Sequence, residues 1–558
     1  MPAVSRRRFD YAVPERWQAD VRPGARVRVP FHGRRVGAWV TECGVTPPPD
    51  VEVREITGVS GWGPPPAVLS LAEWGAWRFA MPVATLLRTA SPERNVWSLP
   101  RAPLRAPRAP GAGEGAPGAA LGPGVTLRRV PPADDLLAVV LEVLGASEAA
   151  GRPALVLAPS SGWADRLARR LRARGIDVAS DWAQAAAGWP VVVGSRATAW
   201  APVAALGAAV VLDAHDYHDR YDASVVVAER AARDGAPCVL VSPCPTAVQR
   251  VRYGPVAAPE RSAERAGWPA LNVVDRRGAD PRTGILSDEL VHLARRTLGA
   301  GERLVCVLNR TGRARLLKCA ACGALARCAV CGRAVESAEE VLHCRGCGED
   351  RPVVCAACGA VRMKVLRQGV ARVRDELEAL LGVPVGEVSG RPGHEALPGT
   401  AALVGTEAVL HRVRHAGAVA FLDFDQHLLA PRFVAGEEAL ALVARAGRLV
   451  GGRESPGRRD PGVVMVQTRL PDHEVLRAAV AGDPDLCTDL DLRHDLRLPP
   501  FSALATVRSD ARPALGGEGV EVSPLEPGRW LVRAPDHRVL CDAVALLRGG
   551  VGIDPLDV

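Results

Sequence analysis

The sequence predicts an α/β chain with two parallel-sheet lobes, a β-rich domain before them, a small α/β domain after them and a cysteine-rich insertion in the second lobe. Two observations predict this arrangement. Short apolar strand segments alternate with helical segments over residues 126–275 and again over 276–480, which is typical of doubly wound parallel sheets. Directly after the first strand of the second repeat, four CxxC pairs interrupt the alternation.

Composition sets the broad class. The 558 residues suffice for three to five domains, and the 48% hydrophobic content suffices for real cores. No apolar run is long enough for a membrane span, and the basic start at Arg6–Arg8 lacks the apolar stretch of a signal peptide. We therefore expect a cytoplasmic protein. The net charge of +8 is compatible with nucleic acid but is spread over a large chain.

Residues 1–97 are predicted to form the β-rich domain. After a Pro23-Gly24 turn, Val27, Val29 and Phe31 alternate with arginines, as expected of a half-buried strand. The alternation does not decide whether those arginines face solvent or phosphates. A helix is predicted over Leu71–Thr89, and the Ala/Pro/Gly-rich residues 98–125 read as a linker.

The two lobes and the last domain follow. In residues 126–275 the strands are predicted at Ala154–Leu157, Val191–Val193, Ala208–Leu212 and Cys238–Val241, with a helix at Trp163–Arg174. In residues 276–480 they are predicted at Leu304–Leu308, Ala402–Val404, Ala418–Leu422 and Val463–Gln467, with helices at Val370–Leu381 and Glu437–Arg448. Residues 481–558 are predicted to form the small domain, with strands at Ala503–Val507 and Trp530–Arg533 and a helix at Arg538–Arg548.

The cysteine-rich module, residues 316–362, carries eight of the 14 cysteines: Cys319, Cys322, Cys328, Cys331, Cys344, Cys347, Cys355 and Cys358. A CxxC turn directs two thiolates at one tetrahedral ion, so four turns predict two structural zinc sites with no position left for a catalytic water. A disulfide cluster is disfavoured because cytosolic thiols stay reduced. The spacing alone leaves open which turns pair.

Three motifs accompany the cysteines: Phe9-Asp10-Tyr11 followed by Pro23–Phe31, Leu308–Gly312 before the module, and Leu498–Ser502. With the module they resemble the PriA family of replication-restart primosomal proteins, which are superfamily 2 DNA helicases. The resemblance implies RecA-like lobes and nested zinc pairing. Cys319, Cys322, Cys355 and Cys358 would hold one ion, and Cys328, Cys331, Cys344 and Cys347 the other.

The resemblance also implies an N-terminal domain that binds the 3′ end of a DNA strand. Asp10 would lie in the pocket for the terminal nucleotide, although an aspartate here could instead cap a turn. Tyr11, Arg26 and Arg28 are the further DNA-binding candidates. The family's winged-helix domain should come next, but the sequence offers mainly the linker there.

The ATP motifs of such a helicase are degenerate. A phosphate loop reads GxxxxGK[ST], and its lysine reaches the β and γ phosphates. The chain has two lysines, Lys318 and Lys364, both beside cysteine turns. The family's loop position reads Thr126–Pro132, where proline removes amide donors and arginine lacks the compact ammonium.

The other ATP motifs have also changed. The family's Asp-Glu-Glu-His appears as Leu212-Asp213-Ala214-His215, so the Mg²⁺-holding acid is lost. Ser242-Pro243-Cys244 stands in the third motif. Asp213, Arg445 and Arg448 are the candidate remnants of a nucleotide site, although each also reads as an ordinary structural residue.

These features favour a replication-restart protein that binds stalled or abandoned forks and promotes primosome assembly and helicase reloading without a motor. The expected cofactors are two zinc ions, with no ATP. The expected partners are forked and single-stranded DNA, single-strand DNA-binding protein and helicase-loading proteins. The protein is expected to be a monomer located at the nucleoid. Two alternatives stay open: an active helicase with a divergent nucleotide site, and a zinc-ribbon module that binds only proteins.

Overall fold

The computed structural model describes residues 8–47, 52–103, 121–217, 220–279, 284–308, 317–330, 332–338, 341–344, 347–365, 370–388, 397–454, 462–486, 489–545, 547 and 550–555. The described residues form two compact units. The first contains those of 1–128, 136–257 and 490–555, and the second those of 129–135 and 258–489. No helix in the described ranges is long and apolar enough to cross a bilayer.

The N-terminal domain is a small antiparallel sheet. Its strands are β1 (Arg26–Phe31), β2 (Arg34–Trp39) and β3 (Gly58–Val59), in the order β2-β1-β3. Val27 and Val29 are buried against Ile56 while Arg28 is exposed, so the predicted alternation is confirmed. His32 and Gly33 both have positive φ, which is the geometry that turns β1 tightly into β2.

Two helices follow, α1 (Pro66–Arg78) and α2 (Val83–Ala90). The prediction of one helix over Leu71–Thr89 was wrong because Ala80 has a φ of +48° and Pro82 cannot continue a helix. Helix α1 packs closely in the core of the first unit. A Cβ at Gly75 would lie 2.5 Å from the ring of the buried Trp200, so the site requires glycine.

The first lobe is a parallel sheet flanked by helices. Its described strands are β4 (Gly124–Arg129), β5 (Ala154–Leu157), β6 (Val191–Gly194), β7 (Ala208–Leu212), β8 (Pro237–Ser242) and β9 (Val256–Ala257). The helices are α3 (Leu137–Ala149), α4 (Ser161–Arg172), α5 (Trp182–Ala186), α6 (Ala223–Asp234) and α7 (Ala247–Tyr253). The strand order is β6-β5-β7-β8-β4-β9.

The second lobe repeats this architecture. Its parallel sheet contains β10 (Ala270–Asp275), β11 (Leu304–Val307), β17 (Val385–Val388), β18 (Ala402–Gly405), β19 (Ala418–Phe421) and β20 (Val463–Thr468) in the order β10-β20-β19-β11-β18-β17. The sequence analysis predicted that the first lobe ends at residue 275. Strand β10 instead pairs with β20 of the second lobe, because its apolar residues complete that sheet.

The helices of the second unit are α8 (Arg261–Gly267), α9 (Asp288–Gly299), α10 (Val370–Leu381), α11 (Ala408–Arg412), α12 (Asp425–Leu428), α13 (Ala435–Val450) and α14 (Glu474–Ala481). The cysteine module, inserted after β11, extends to residue 365, beyond the predicted end at 362, because its last strand pairs with its first. It contains β12 (Leu317–Cys319), β13 (Glu336–Ala338), β14 (Val341–His343), β15 (Asp350–Pro352) and β16 (Met363–Val365). Strands β12 and β16 form one antiparallel ribbon, and β13, β14 and β15 form a second small sheet.

The C-terminal domain is an antiparallel sheet with one covering helix. Its elements are α15 (Leu490–Asp495), β21 (Ala503–Arg508), β22 (Glu521–Glu526), β23 (Arg529–Ala534), α16 (His537–Val544) and β24 (Val551–Ile553), with the strands in the order β22-β23-β21-β24. It belongs to the first unit, where α16 contacts α1. Trp77 on α1 donates its indole N–H to Asp542 on α16 at 2.9 Å. The fold class predicted from the sequence is therefore confirmed.

Candidate metal centres and nucleic-acid interface

The structure brings four cysteines of the module to one point. The Sγ atoms of Cys319, Cys322, Cys355 and Cys358 all lie within 4.8 Å of one another. The Cys319–Cys358 and Cys322–Cys355 Sγ pairs are each 3.6 Å apart. Four sulfurs bound at about 2.3 Å around a tetrahedral zinc ion lie roughly 3.8 Å apart, so this cluster fits such an ion.

A second cysteine cluster lies at the other end of the module. Cys328, Cys344 and Cys347 have their Sγ atoms within 4.8 Å of one another, and those of Cys328 and Cys347 are 3.5 Å apart. Cys331, the predicted fourth ligand, lies outside the described residues. The arrangement of the described cysteines is the nested one that the family resemblance implies.

A glycine shapes each of the four turns. Gly323, Gly332, Gly348 and Gly359 directly follow the second cysteine of each turn and have φ between +72° and +75°. Each donates its N–H to the carbonyl of the first cysteine of its turn, at 2.8–3.0 Å. A side chain would strain this backbone, so the full pattern is CxxCG, a signal that our sequence analysis did not use.

Backbone donors also favour the thiolate. The N–H groups of Cys322 and Ala321 point at the Sγ of Cys319 and lower the pKa of that thiol to about 6. A metal needs the deprotonated ligand, so these two donors favour metal binding at Cys319.

At the N-terminal domain, Tyr11 anchors the Phe9-Asp10-Tyr11 motif. Its hydroxyl donates to the carbonyl of Pro30 at 3.0 Å, and its ring packs on the core of the sheet. Asp10 and Phe9 are exposed beside it. The ring of Phe9 lies 5.2 Å from that of Phe31, in an edge-to-face contact. The anchored tyrosine thus holds a carboxylate and an aromatic ring together at the surface.

The two predicted arginines have different environments. Arg26 donates to the carbonyls of Pro92 and Arg94 and to Oδ1 of Asn95 at 2.8–3.1 Å, and burial lowers its pKa. Arg28 is exposed on the outer face of β1, opposite Gly37. Arg35, two residues before Gly37 on β2, shares that face and is also exposed. Arg26 therefore holds the 92–95 loop, whereas Arg28 and Arg35 are available to a ligand.

The connection from β4 to α3 lies at the region to which the family resemblance assigned the phosphate loop. The sequence located that place at Thr126–Pro132, but residues 126–129 belong to β4, and the connecting loop is 130–136. It reads Val-Pro-Pro-Ala-Asp-Asp-Leu and contains no glycine, lysine, serine or threonine. Pro131 and Pro132 lack N–H donors, and Asp134 and Asp135 introduce carboxylates.

The end of β7 carries Leu212-Asp213-Ala214-His215, the residues that the resemblance compares with the family's Asp-Glu-Glu-His. Leu212 and Ala214 are buried and have no group for a metal ion. Asp213 is 5% exposed with a φ of +53°. His215 Nδ1 lies 2.8 Å from Oγ of Ser242, which links this strand end to the end of β8. The sequence analysis named His215 and Ser242 but did not predict that they lie in contact.

The two arginines of α13 make protein contacts. Arg445 Nη1 lies 2.6 Å from Nδ1 of His411, and Arg448 donates to the carbonyl of Pro132 at 3.2 Å. Both belong to the second unit, whereas Asp213 belongs to the first. The Pro132 carbonyl lies in the loop between β4 and α3, so Arg448 contacts that loop.

Comparison with known proteins gives consistent results. A family model described as the 3′ DNA-binding domain (3′BD) of PriA matches residues 1–92. Replication restart protein PriA of Bacillus subtilis is 27% identical over 57% of this chain and 43% of its own length. That of Haemophilus influenzae is 26% identical, over 65% and 55%. The chain thus spans about half the length of these two curated relatives.

A longer match and a solved structure complete the comparison. The Mycobacterium leprae protein named "Probable replication restart protein PriA" is 28% identical over 90% of this chain and 85% of its own. A Saccharomyces cerevisiae Dbp5 variant bound to RNA and ADP BeF3 covers 66% of this chain and 84% of its own, with a TM-score of 0.38 and 12% identity. That similarity is too low to place its ligands on this chain.

Proposed function

Because the chain is a divergent relative of the PriA replication restart proteins, we propose that it binds stalled or abandoned replication forks and promotes reassembly of the primosome without unwinding DNA. The proposal rests on two features taken together. A domain similar to the 3′ DNA-binding domain accompanies a β4–α3 loop that has no lysine, glycine, serine or threonine.

The loss of the motor follows from the chemistry of phosphoryl transfer. Catalysis there depends on positioned amides, a lysine and a metal-holding acid, each contributing several kcal/mol. The 130–136 loop offers two prolines and two aspartates instead, and Leu212 replaces the acid. A carboxylate pair repels phosphate oxygens. A separate helicase would then open the lagging-strand duplex.

The N-terminal domain supplies the proposed DNA contacts. Asp10 would accept a hydrogen bond from the 3′ hydroxyl of the leading strand, with Phe9 and Tyr11 shaping the site. Arg28 and Arg35 would contact phosphates on the outer face of the sheet. Binding of this kind reads DNA structure rather than sequence and weakens with salt. Arg26 would act by holding the 92–95 loop.

The cysteine module would hold two zinc ions as structural elements. Every described ligand is sulfur, which suits zinc, and the four sulfurs of the first cluster leave no open catalytic position there. Proposed protein partners are single-strand DNA-binding protein and helicase-loading proteins, and the proposed location is the cytoplasmic nucleoid. The chain would act as a monomer.

Fork binding is tested by fluorescence anisotropy on the zinc-loaded protein. A labelled fork with a leading-strand 3′ end at the junction is compared with a duplex of equal length, at equal salt. We expect at least tenfold tighter binding to the fork. Equal affinity for both would contradict fork recognition and favour the module that binds only proteins.

Asp10→Ala is expected to weaken binding to that fork by about 10- to 100-fold, because a hydrogen bond to a charged group contributes about 1.5–3 kcal/mol. A fork ending in a 3′ phosphate should bind the wild type weakly, and the variant should not distinguish the two ends. Asp20→Ala, at an exposed aspartate of the same domain, serves as the control. If Asp10→Ala and Asp20→Ala bind alike, Asp10 has no such role.

A further inference from the structure

The two lysines of the chain lie directly opposite each other. Lys318 on β12 is the register partner of Lys364 on β16 in the antiparallel ribbon that supports the first cysteine cluster. The remaining 68 of the 70 basic residues are arginines. Residues directly opposite in such a ribbon point to the same face, with Cβ atoms about 5 Å apart. The ribbon thus presents two ammonium groups side by side.

This arrangement has a cost within the folded protein. Like charges directly opposite each other on a ribbon destabilise it. Lys364 is exposed, and Lys318 is half-buried between the buried Leu317 and Cys319. Neither lysine has an ion-pair partner within 4.0 Å among the residues that the structure describes. The lysine pair therefore does not stabilise the ribbon by itself. A bound anion would reduce the repulsion between the two ammonium groups.

Two arginines of the second lobe extend the positive charge. The cysteine module lies beside them, because its Leu325 and Ala334 pack against Leu429 and Leu470, and Leu470 directly follows Arg469. Arg276 adjoins Arg469, because its backbone N–H donates to the carbonyl of Thr468 at 2.8 Å. Arg469 follows β20 and Arg276 follows β10, so both stand at the carboxyl edge of the parallel sheet. We call Arg276, Arg469, Lys318 and Lys364 the cation row.

The nearby carboxylates do not neutralise the row. Asp425 accepts hydrogen bonds from the hydroxyl of Thr468, at 2.5 Å, and from the backbone N–H of Arg469. Its closest approach to the Arg469 guanidinium is 3.6 Å. Asp423 is hydrogen-bonded to Gln426, and burial together with Asp425 raises its pKa to about 6. Asp288 and Glu289 also act on Arg276, so the carboxylates lie mostly at the two arginines and leave the two lysines without an ion pair among the described residues.

We propose that the cation row binds the phosphate backbone of DNA, so that the cysteine module contacts nucleic acid directly through Lys318 and Lys364. This inference rests on the proposed fork binding and names a second DNA surface, distinct from the N-terminal domain. Lysine suits this role because its compact ammonium follows a phosphate on a flexible stem. An acidic protein segment is the competing ligand. The acetylation test below separates the two ligands.

The scarcity of lysine permits a direct test on the wild-type protein. Amine acetylation followed by mass spectrometry reports on Lys318, Lys364 and the α-amino group alone. Fork DNA at saturating concentration is expected to slow the modification of both lysines at least fivefold, with the zinc content unchanged. Equal modification with and without bound fork would overturn the proposal. A 20-residue polyglutamate, added instead of DNA, identifies an acidic protein ligand if it alone protects the lysines.

Charge removal provides the second test. In Lys318→Gln/Lys364→Gln, the slope of log Kd against log salt for the fork should fall by about 1.4–1.8, which is two phosphate contacts at roughly 0.7–0.9 each. The matched control Arg372→Gln/Arg374→Gln removes two charges from α10, where both arginines pair with carboxylates, and should retain the slope. Lys318→Arg/Lys364→Arg should retain it too. A wild type that does not bind the fork contradicts the proposed function, whereas a fork-binding wild type with an unchanged slope in the glutamine variant contradicts only the cation row.

Discussion

Replacing Cys355 with serine is expected to release one zinc ion per molecule and to unfold the first cysteine cluster. Cys355 is 5% exposed, and its sulfur lies 3.6 Å from that of Cys322. Structural zinc sites contribute about 10–16 kcal/mol of apparent binding free energy, and that energy is also folding energy for a small module. A serine hydroxyl does not replace a thiolate ligand, so most of this contribution is lost.

The measurement is the zinc content by mass spectrometry, together with limited proteolysis. Wild type should carry two ions and Cys355→Ser one, with new cleavage between residues 317 and 365. Cys43→Ser is the matched control, because Cys43 is exposed and belongs to neither cluster. Two ions retained by Cys355→Ser would show that the assigned ligand set is incorrect.

The second large effect is expected on stability, from Arg78→Met. Arg78 on α1 donates to Oδ2 of Asp554 at 2.8 Å, and its side chain is 4% exposed. Removing one partner of a buried pair strands the other charge, which costs about 3–5 kcal/mol. We expect about 3 kcal/mol, because Asp554 keeps 22% of its side-chain exposure and a second partner, His537 at 2.6 Å.

Thermal unfolding at fixed protein concentration checks this expectation. Arg8→Met is the matched control, since the Arg8–Glu73 pair is exposed on both sides and should contribute little. Arg78→Met/Asp554→Leu should recover part of the lost stability, because it removes the stranded charge. Equal melting temperatures for Arg78→Met and Arg8→Met would refute the role of this pair.

The same pair predicts an acid dependence. Burial alone would raise the pKa of Asp554, but Arg78 and His537 outweigh it and hold that pKa well below its usual range. A depressed folded-state pKa stabilises the protein above the unfolded value of about 3.9, and this contribution is lost as the pH falls towards the folded-state pKa. The melting temperature of Arg78→Met should therefore begin to approach that of wild type below about pH 4 and should approach it further as the pH falls.

Much of the fold was predictable because local patterning and tertiary structure agree. Ala154–Leu157, Ala208–Leu212 and Val370–Leu381 were predicted with the ends that the structure gives them. These segments are apolar strands or an amphipathic helix bounded by turn residues, so the periodicity decides them. The predicted family is likewise supported by the matches to PriA proteins.

The exceptions depend on long-range contacts. Strand β10 looks like a continuation of the first lobe, and only its pairing with β20 assigns it to the second sheet. Arg26 and Arg28 occupy equivalent positions in the alternating pattern of β1. Arg26 is hydrogen-bonded to the 92–95 loop, whereas Arg28 is exposed. The spacing of the CxxC turns likewise left the nested arrangement open.

In the candidate site, too, some features could be predicted from the sequence and others depend on tertiary contacts. The loss of the phosphate-loop lysine could be read from two lysines in 558 residues. Their position opposite each other could not, because Lys318 and Lys364 are 46 residues apart and meet only when β12 pairs with β16. The contact of His215 with Ser242 likewise joins two strand ends that are separate in the sequence.

The central claim is that the chain binds forks without a motor, and ATP hydrolysis with and without fork DNA tests it most directly. The assay uses zinc-loaded protein whose fork binding has been verified, and a phosphate-release readout sensitive to about one turnover per hour. We predict no hydrolysis above background in either condition, and no change in Asp213→Asn. Hydrolysis that is stimulated by the fork and lost in Asp213→Asn would contradict the account and show that a divergent nucleotide site still works.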